Sequence, residues 1–589
     1  MLSNFISMSF PDISSNEIKK DIDIDNFRLP ITYLNNNELY PIADNVSDDL
    51  ELYNDSDTNI YYTLFKPNTK FSQYNIKYWN KYYTDNITFL KDSQHIITNL
   101  SIFKNKTFEN YDFILDIWKE TKNDSNFYIK YNYLDWDILK KFNNYAPLLL
   151  ILSIFHIATP VLFFLTPLFI IIVPFIILKY QGIPITISLY ISILKDIFNQ
   201  QILGKFYNSN NNFGKQFALL YLLGCIVFFL IQVYANFKTC YDFYNNIKHV
   251  NNNIIKLNKF FQYSLENMNK FKKISNFCTS YNPFYDEIKK NEEYINTFLN
   301  STTNFITDFD HSPRKILEFG NILQVYYHIH SDPNIEKAIQ FAIGFDGYID
   351  NLYSIHNLYN DGHLAIAKFS NLSKQHCNIK KQVYPSLYNS NERVDNDIDL
   401  SSNAIITGPN ASGKTTTIKT TIINVILSQQ FGLGFYKSCT LNPYKFIHSY
   451  INIPDTNNRD SLFQAESRRC KDIIDIILAN SKDRHLCIFD ELYSGTNPDE
   501  APKAGYSFLK YLNTFKNVNL ILTTHYSFIC KKFKKSKRIN NYQMNVIQEQ
   551  NDHKFTYKLI DGISQHKGAI KILKDMDYPE EIIKTFEKI

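Results

Sequence analysis

The sequence has no Cys-x-x-Cys pair. Its eight cysteines stand apart at 225, 240, 278, 377, 439, 470, 487 and 530. Neither a disulfide framework nor a zinc knuckle is indicated, and reduced thiols are the plain reading. Charge of one sign is also lacking: 62 Lys and Arg face 58 Asp and Glu, a net charge of +4. No global field announces a polyanion as partner. The N-terminal MLSNFISMSFPDISSNEIKKDIDIDN has no basic flank followed by a long apolar core, so no cleaved signal peptide is expected. A composition of 44% hydrophobic and 20% charged residues excludes a disordered chain and a coiled-coil rod. At 589 residues the chain exceeds one hydrophobic core, and roughly three or four units are expected.

Charge is missing locally as well. From Tyr145 to Leu178 there is no Asp, Glu, Lys or Arg. At about 1.5 Å per residue a continuous helix would be roughly 50 Å long, against about 30 Å of hydrocarbon. Either one tilted, proline-bent helix spans a membrane, or the segment folds back near Thr159-Pro160. Prolines 160, 167 and 174 recur every seven residues, near one helical face, where a membrane helix tolerates them. A second uncharged run, Phe217 to Ala235, has the length of one span. Lysines flank and separate the runs about equally, which leaves orientation undecided by charge. The stretch QGIPITISLYISIL (181–194) is apolar but short: re-entrant, interfacial or a third span. The expectation is an integral membrane protein.

Along the chain, residues 1–140 form a polar N-terminal region of unknown role. Its start is acidic and partly disordered (DNVSDDLELYNDSD, 44–57), and a small folded part follows. Residues 141–240 hold the membrane runs. Residues 241–375 are expected to be a helical core or lever, with apolar positions at spacings of three and four. Ser312-Pro313 and Asp332-Pro333 mark helix starts there. From 376 to 589 short apolar runs alternate with helix-length segments, an α/β texture.

Within that last region NAIITGPNASGKTTTIKTTIINVIL (403–427) reads strand, Gly-rich loop, helix. Gly408-Pro409-Asn410-Ala411-Ser412-Gly413-Lys414-Thr415 satisfies G-x-x-x-x-G-K-S/T, and Thr416 follows. Glycines let backbone amides close around phosphates, and the helix N-terminus adds positive potential. Lys414 is placed to reach the β/γ oxygens of ATP, and Thr415 to hold Mg²⁺. HLCIFDEL (485–492) is a buried-strand pattern ending in two acids. Asp490 is the expected second Mg²⁺ ligand, and Glu491 the group that polarises the attacking water. VNLILTTHYSF (518–528) is another apolar strand, ending at His525, which would sense the γ-phosphate or hold the water. KKFKKSKR (531–538) puts six basic residues in eight: a DNA or anionic-membrane contact, or a solvated helix end.

Together these residues resemble the ATPase domain of the MutS mismatch-repair family. TGPNASGKTT looks like its Walker A, DELYSGTNPDEA like its Walker B with the following Gly-Thr turn, and TTHY like its histidine motif. RDSLFQAESRR (459–469) matches its signature loop at Ser461, Phe463 and Glu466; Leu462, Gln464 and Ala465 differ. In that family this Ser contacts the nucleotide of the partner subunit. YKLIDGISQHKGAIKILKDMDYPEEII (557–583) resembles its last conserved block. GFDGYIDNLYSIHNLY with VYPSL (383–387) resembles its lever and the approach to the ATPase. The likeness covers about residues 240–589, strongly after 380.

The fold class implied is an α/β P-loop NTPase C-terminal domain of ABC/MutS type, preceded by an all-α lever/core region and transmembrane helices. Departures shape the functional expectation. An N-terminal Phe-x-Glu mismatch wedge is missing, the nearest string being FYDE (284–287). The chain also ends soon after the last block. The expected protein is a membrane-anchored MutS-like ATPase that hydrolyses Mg²⁺-ATP as a homodimer through its ATPase domains. Dimerisation would be coupled to DNA or to a membrane-associated structure, without mismatch recognition. Two spans put both ends on one side, and the nucleotide site makes that side cytosolic. The alternative is an ABC-type membrane-coupled motor or transporter-like ATPase not acting on DNA, and the missing Leu-Ser-Gly-Gly-Gln signature argues against an ordinary transporter.

Overall fold

The computed structural model describes residues 26–54, 58–103, 111–182, 186–200, 212–310, 312–370, 377–451, 461–549, 552–565, 576 and 578–588. The chain forms two compact units that interleave in sequence. One comprises residues 1–22, 111–263 and 292–338, the other 23–110, 264–291 and 339–589. This differs from the four consecutive regions expected from sequence, because residues 26–103 pack with the 339–589 part.

In the first unit the uncharged run is two helices, α1 (Ala146–Phe164) and α2 (Thr166–Tyr180). The break falls at Leu165, not at Thr159-Pro160. Pro160 stays inside α1, while Pro167 sits in the first turn of α2, where its missing N–H costs little. Helix α3 (Ile187–Gln200) covers most of the short apolar stretch, whose residues 183–185 lie outside the described residues. Helix α4 (Asn212–Ser275) is 64 residues long, and its residues 212–263 belong to this unit.

Antiparallel packing of α1 on α4 puts Phe163 5.4 Å from Phe229 and His156 4.7 Å from Phe243, ring to ring. The first turn of α1 lies so close to helix Phe319–Ser331 that a Cβ on Gly320 would meet Ala146 O at 2.2 Å. Further along α4, Phe243, Ile247, Val250, Ile254, Leu257 and Phe261 form a buried stripe at helical spacing. Residues 219–235 of the same helix have no such stripe, and Leu220, Phe228 and Tyr234 are exposed. Among the described residues two helices, α1 and the α4 stretch from Leu219, are long and apolar enough to cross a membrane.

The second unit is built on a six-stranded sheet: β1 (Asn403–Thr407), β2 (Phe446–Tyr450), β3 (His485–Asp490), β4 (Val518–Thr524), β5 (Ile539–Glu549) and β6 (Asp552–Asp561). Spatial order is β6-β5-β1-β4-β3-β2, parallel except for the antiparallel edge strand β6. Strands β1 and β4 are buried along their whole length, which explains their continuous apolar sequences. On one face Ile473, Ile477, Phe489, Leu509, Leu522 and Ile529 share a core. A second, five-stranded sheet is formed by Ala365–Phe369, Cys377–Gln382, Asn396–Asp399, Leu433–Gly434 and Ser438–Leu441.

Helix α5 (Lys414–Phe431) follows β1 and is buried almost all round. Its polar residues at the far end hold the N-terminal segment. Gln429 donates to Thr84 O and Tyr444 O, Gln430 donates to Trp79 O and Tyr82 O, and Tyr61 OH donates to Gln430. The acidic stretch expected to be partly disordered is helical over Asp44–Leu50, with Val46, Asp49 and Leu50 buried; residues 55–57 and 1–25 lie outside the described residues. FYDE falls in helix Asn282–Thr302, where Phe284 is buried against Phe27, Phe345 and Tyr348. A buried ring cannot act as a wedge.

Candidate nucleotide site

The loop between β1 and α5 turns through two left-handed residues, Ala411 at φ +59° and Gly413 at φ +93°. Gly413 also carries no Cβ toward the Tyr557 ring, which such an atom would meet at 3.1 Å. Ser412 Oγ donates to Pro409 O at 2.7 Å, closing the loop on itself. Lys414 is buried at the first turn of α5. Its ammonium donates to Gly408 O at 3.0 Å and Pro409 O at 3.1 Å, and lies 3.5 Å from Asn410 Oδ1. Thr416 is exposed on the next position.

Strand register brings the acids to this loop. Asp490 ends β3 opposite Thr523 of β4. Thr415 Oγ1 donates to Asp490 Oδ2 at 2.7 Å, and Thr523 Oγ1 donates to Oδ1. Burial pushes the Asp490 carboxyl above the usual carboxylate range, the two threonine hydroxyls pull it down, and neighbouring Glu491 adds to the lift. Glu491 has left-handed backbone, φ +48°, fixed by its N–H donating to Thr523 O at 3.1 Å. That turn points the two consecutive carboxylates differently.

Glu491 Oε1 lies 3.6 Å from Lys414 Nζ and 3.8 Å from His525 Nδ1, both longer than a hydrogen bond. The imidazole, then the ammonium, hold Glu491 below the usual range against the opposing effect of burial. His525 follows β4 and its side chain is 47% exposed. Lys414, Thr415, Asp490, Glu491 and His525 are thus brought together.

The sequence reading missed two kinds of residue. Glu466, read only as a motif match, is buried and accepts from Ser494 N at 2.9 Å, Ser494 Oγ at 3.0 Å and Gly495 N at 3.2 Å. It fixes the turn that follows Glu491. The walls of the cleft, about 870 Å³ in volume, come from distant segments: Tyr384, Arg393, Ile451 and Tyr557 among them. Tyr384 lies in VYPSL and Tyr557 opens the last block, so family resemblance was the signal available for both. Ser461 does not line this cleft. It caps helix α6 (Leu462–Ala479), accepting from Gln464 N at 3.4 Å, while Gln464 Oε1 accepts from Ser461 N at 2.9 Å. Arg459 and Asp460 lie outside the described residues, as do 566–575 and 577 of the C-terminal block. In the basic run the lysines are exposed, while Arg538 donates to Asn513 O and Phe515 O and so belongs to the framework.

Residues 404–589 match MutS domain V. MutS domain V is a P-loop ATPase-type domain, in keeping with the mixed sheet and phosphate loop described above. Over this part the chain is similar to DNA mismatch repair protein Msh3 of Dictyostelium discoideum, 29% identical over 206 residues, covering 32% of this chain and 14% of the relative. It is similar to Endonuclease MutS2 of Lactobacillus acidophilus, 28% identical over 222 residues, or 37% and 28% of the two chains. DNA mismatch repair protein MutS of Parabacteroides distasonis is 28% identical over 188 residues, 31% and 21%. The chain thus spans between 14% and 28% of the length of these relatives. In MutS domain V terms, the matched stretch begins in β1 and contains every residue of the phosphate site, while the cleft wall at Tyr384 and Arg393 precedes it.

Proposed function

We propose that the chain is a membrane-anchored MutS-like ATPase, hydrolysing Mg²⁺-ATP as a dimer and coupling nucleotide-dependent dimerisation to DNA or a membrane-associated structure. The observation that carries this reading is the convergence of Lys414, Thr415, Asp490 and Glu491 on one cleft of about 870 Å³, a size suited to a nucleoside triphosphate. The Thr415 hydroxyl and Asp490 carboxylate, 2.7 Å apart, are the hard oxygen donors that Mg²⁺ takes together with phosphate oxygens and water. These residues fit the ion and would hold it; its charge would neutralise the phosphates.

The chain's own residues do the rest. Amides of the 408–415 loop and the Lys414 ammonium bind the phosphate oxygens, Lys414 exchanging Glu491 for the γ-phosphate. Glu491, still beside His525 once Lys414 has moved to the phosphate, takes a proton from the attacking water. The water oxygen bonds to the γ-phosphorus, the bond to the β,γ-bridging oxygen breaks, and ADP and phosphate leave. Ser461, exposed at the start of α6, would meet the nucleotide of a second copy, and Glu466 on that helix would relay the contact to the turn after Glu491.

The membrane part of the proposal is supported by the length and exposed apolar surface of α1 and of residues 219–235. The ATPase side would then face the cytosol. The names of the Msh3 and MutS relatives support DNA as a partner, and the burial of Phe284 supports a role without mismatch recognition. The exposed apolar stretch of helix α4 favours one second reading, an ABC-type motor coupled to the membrane and not to DNA. Sedimentation of Glu491→Gln in detergent tests dimerisation: ATP should convert monomer to dimer, and a monomer at saturating ATP contradicts it.

A further inference from the structure

A short N-terminal segment contacts one residue that lines the nucleotide cleft, Ile451, and two that adjoin lining residues, Lys419 and Tyr388. Asp49, in helix Asp44–Leu50 and 3% exposed, accepts from Ser449 Oγ at 2.5 Å and from Ile451 N at 3.2 Å. Ser449 belongs to β2, and Ile451 lines the cleft. Glu51 leaves the helix through a left-handed residue, φ +54°, and its carboxylate accepts from Lys419 Nζ at 2.9 Å. Lys419 lies on the phosphate-binding helix α5, five residues after Lys414. Lys66 Nζ donates to Tyr388 OH, next to the wall formed by Tyr384 and Leu387. The partners lie at least 322 residues away in sequence.

Apolar packing alone would hold this segment in place, since Val46, Leu50, Leu52, Leu64 and Phe65 are all buried. The polar contacts of Asp49, Glu51 and Lys66 are a separate, directional set beside the cleft, while Tyr61 bonds Gln430 at the far end of α5. A buried carboxylate that takes a backbone N–H and a hydroxyl together fixes the end of a strand more tightly than apolar contact does, because those donors have no water to turn to.

We propose that residues 44–54 and 58–66 are a brace that sets the geometry of the nucleotide cleft, with Asp49 and Glu51 as positioning residues for the strand end at Ile451 and for α5. The inference rests on the ATPase reading above for the identity of the nucleotide. By linkage the coupling runs both ways: a brace that improves nucleotide binding is itself stabilised by the nucleotide.

The test uses the full chain purified in detergent and MgATP. Asp49→Ala should raise KM about tenfold, as loss of a bond to a charged group would, with kcat within about twofold because the reacting groups are untouched. Asp49→Asn, whose amide oxygen still accepts, should raise it less. A purely structural role would lower the active fraction, hence kcat, and leave KM unchanged. Glu51→Lys and Lys419→Glu should each raise KM, and the double exchange should restore it. Hydrogen exchange gives a readout without turnover: a non-hydrolysable ATP analogue should slow exchange at the Ile451 amide and at residues 60–66. An unchanged KM in Asp49→Ala, or no slowing in the presence of bound analogue, overturns the brace. A wild-type chain that binds no MgATP overturns the ATPase reading and the brace with it.

Discussion

Glu466 on helix α6 accepts from both the backbone N–H and the hydroxyl of Ser494, at 2.9 and 3.0 Å, and so ties the signature helix to the turn after Glu491. Replacing it by alanine removes the one buried carboxylate that holds these donors and Gly495 N beside them, although Ser494 and Gly495 are themselves exposed and can turn to water. The expected cost is about 1 kcal/mol for each hydrogen bond lost, since water can replace the acceptor at these exposed donors. Glu466→Ala should therefore lower the thermal midpoint and also kcat, because the backbone after Glu491 loses its anchor. A variant with wild-type stability and turnover would show that the turn holds itself.

Glu491→Gln keeps size and backbone but cannot take a proton. Turnover should fall by about 10²–10⁴, the usual worth of a general base, while binding of a fluorescent ATP analogue persists. Loss of binding alongside turnover would place Glu491 in substrate holding instead.

Asp490 gives a pH test whose sign follows from its burial. Its folded carboxyl is raised, so the fold carries the ionised form at a cost that is present above the folded value and fades as pH falls through it. Holding Mg²⁺ needs the anion, so Mg²⁺-dependent turnover should fail on acidification at a higher pH than an ordinary carboxylate would set. Asp490→Asn removes the buried charge and should raise the thermal midpoint at neutral pH while abolishing turnover. A lowered midpoint would mean that the Thr415 and Thr523 hydroxyl bonds outweigh the burial.

Membrane insertion is testable at the middle of the α4 apolar stretch. Ile226→Lys should cost about 2.5–3.5 kcal/mol of insertion at a span centre, read as lost membrane integration in a glycosylation-reporter assay. Release of the wild-type chain into the supernatant by alkaline carbonate would contradict a spanning role.

Contiguous strings carried most of what the sequence made legible. The phosphate loop, the DEL acids and the TTH histidine each occupy a strand end, so period and motif place them together once the strands pair. Residues 26–103 were illegible as part of the same unit, because Gln429 and Gln430 hold them through backbone carbonyls, which leave no hydrophobic period. The acidic run at 44–57 reads as partly disordered, yet Asp49 is buried against β2. Tyr384, Arg393 and Tyr557 reach the cleft from segments far apart in sequence, and spacing cannot show that.

The ATPase rate of the detergent-purified chain, measured with Mg²⁺ and with Glu491→Gln as the blank, tests the central claim most directly. DNA-containing and DNA-free arms also separate the two coupling readings. The expected result is a Mg²⁺-dependent rate well above the blank. A rate equal to the blank in every arm would contradict hydrolysis at this site.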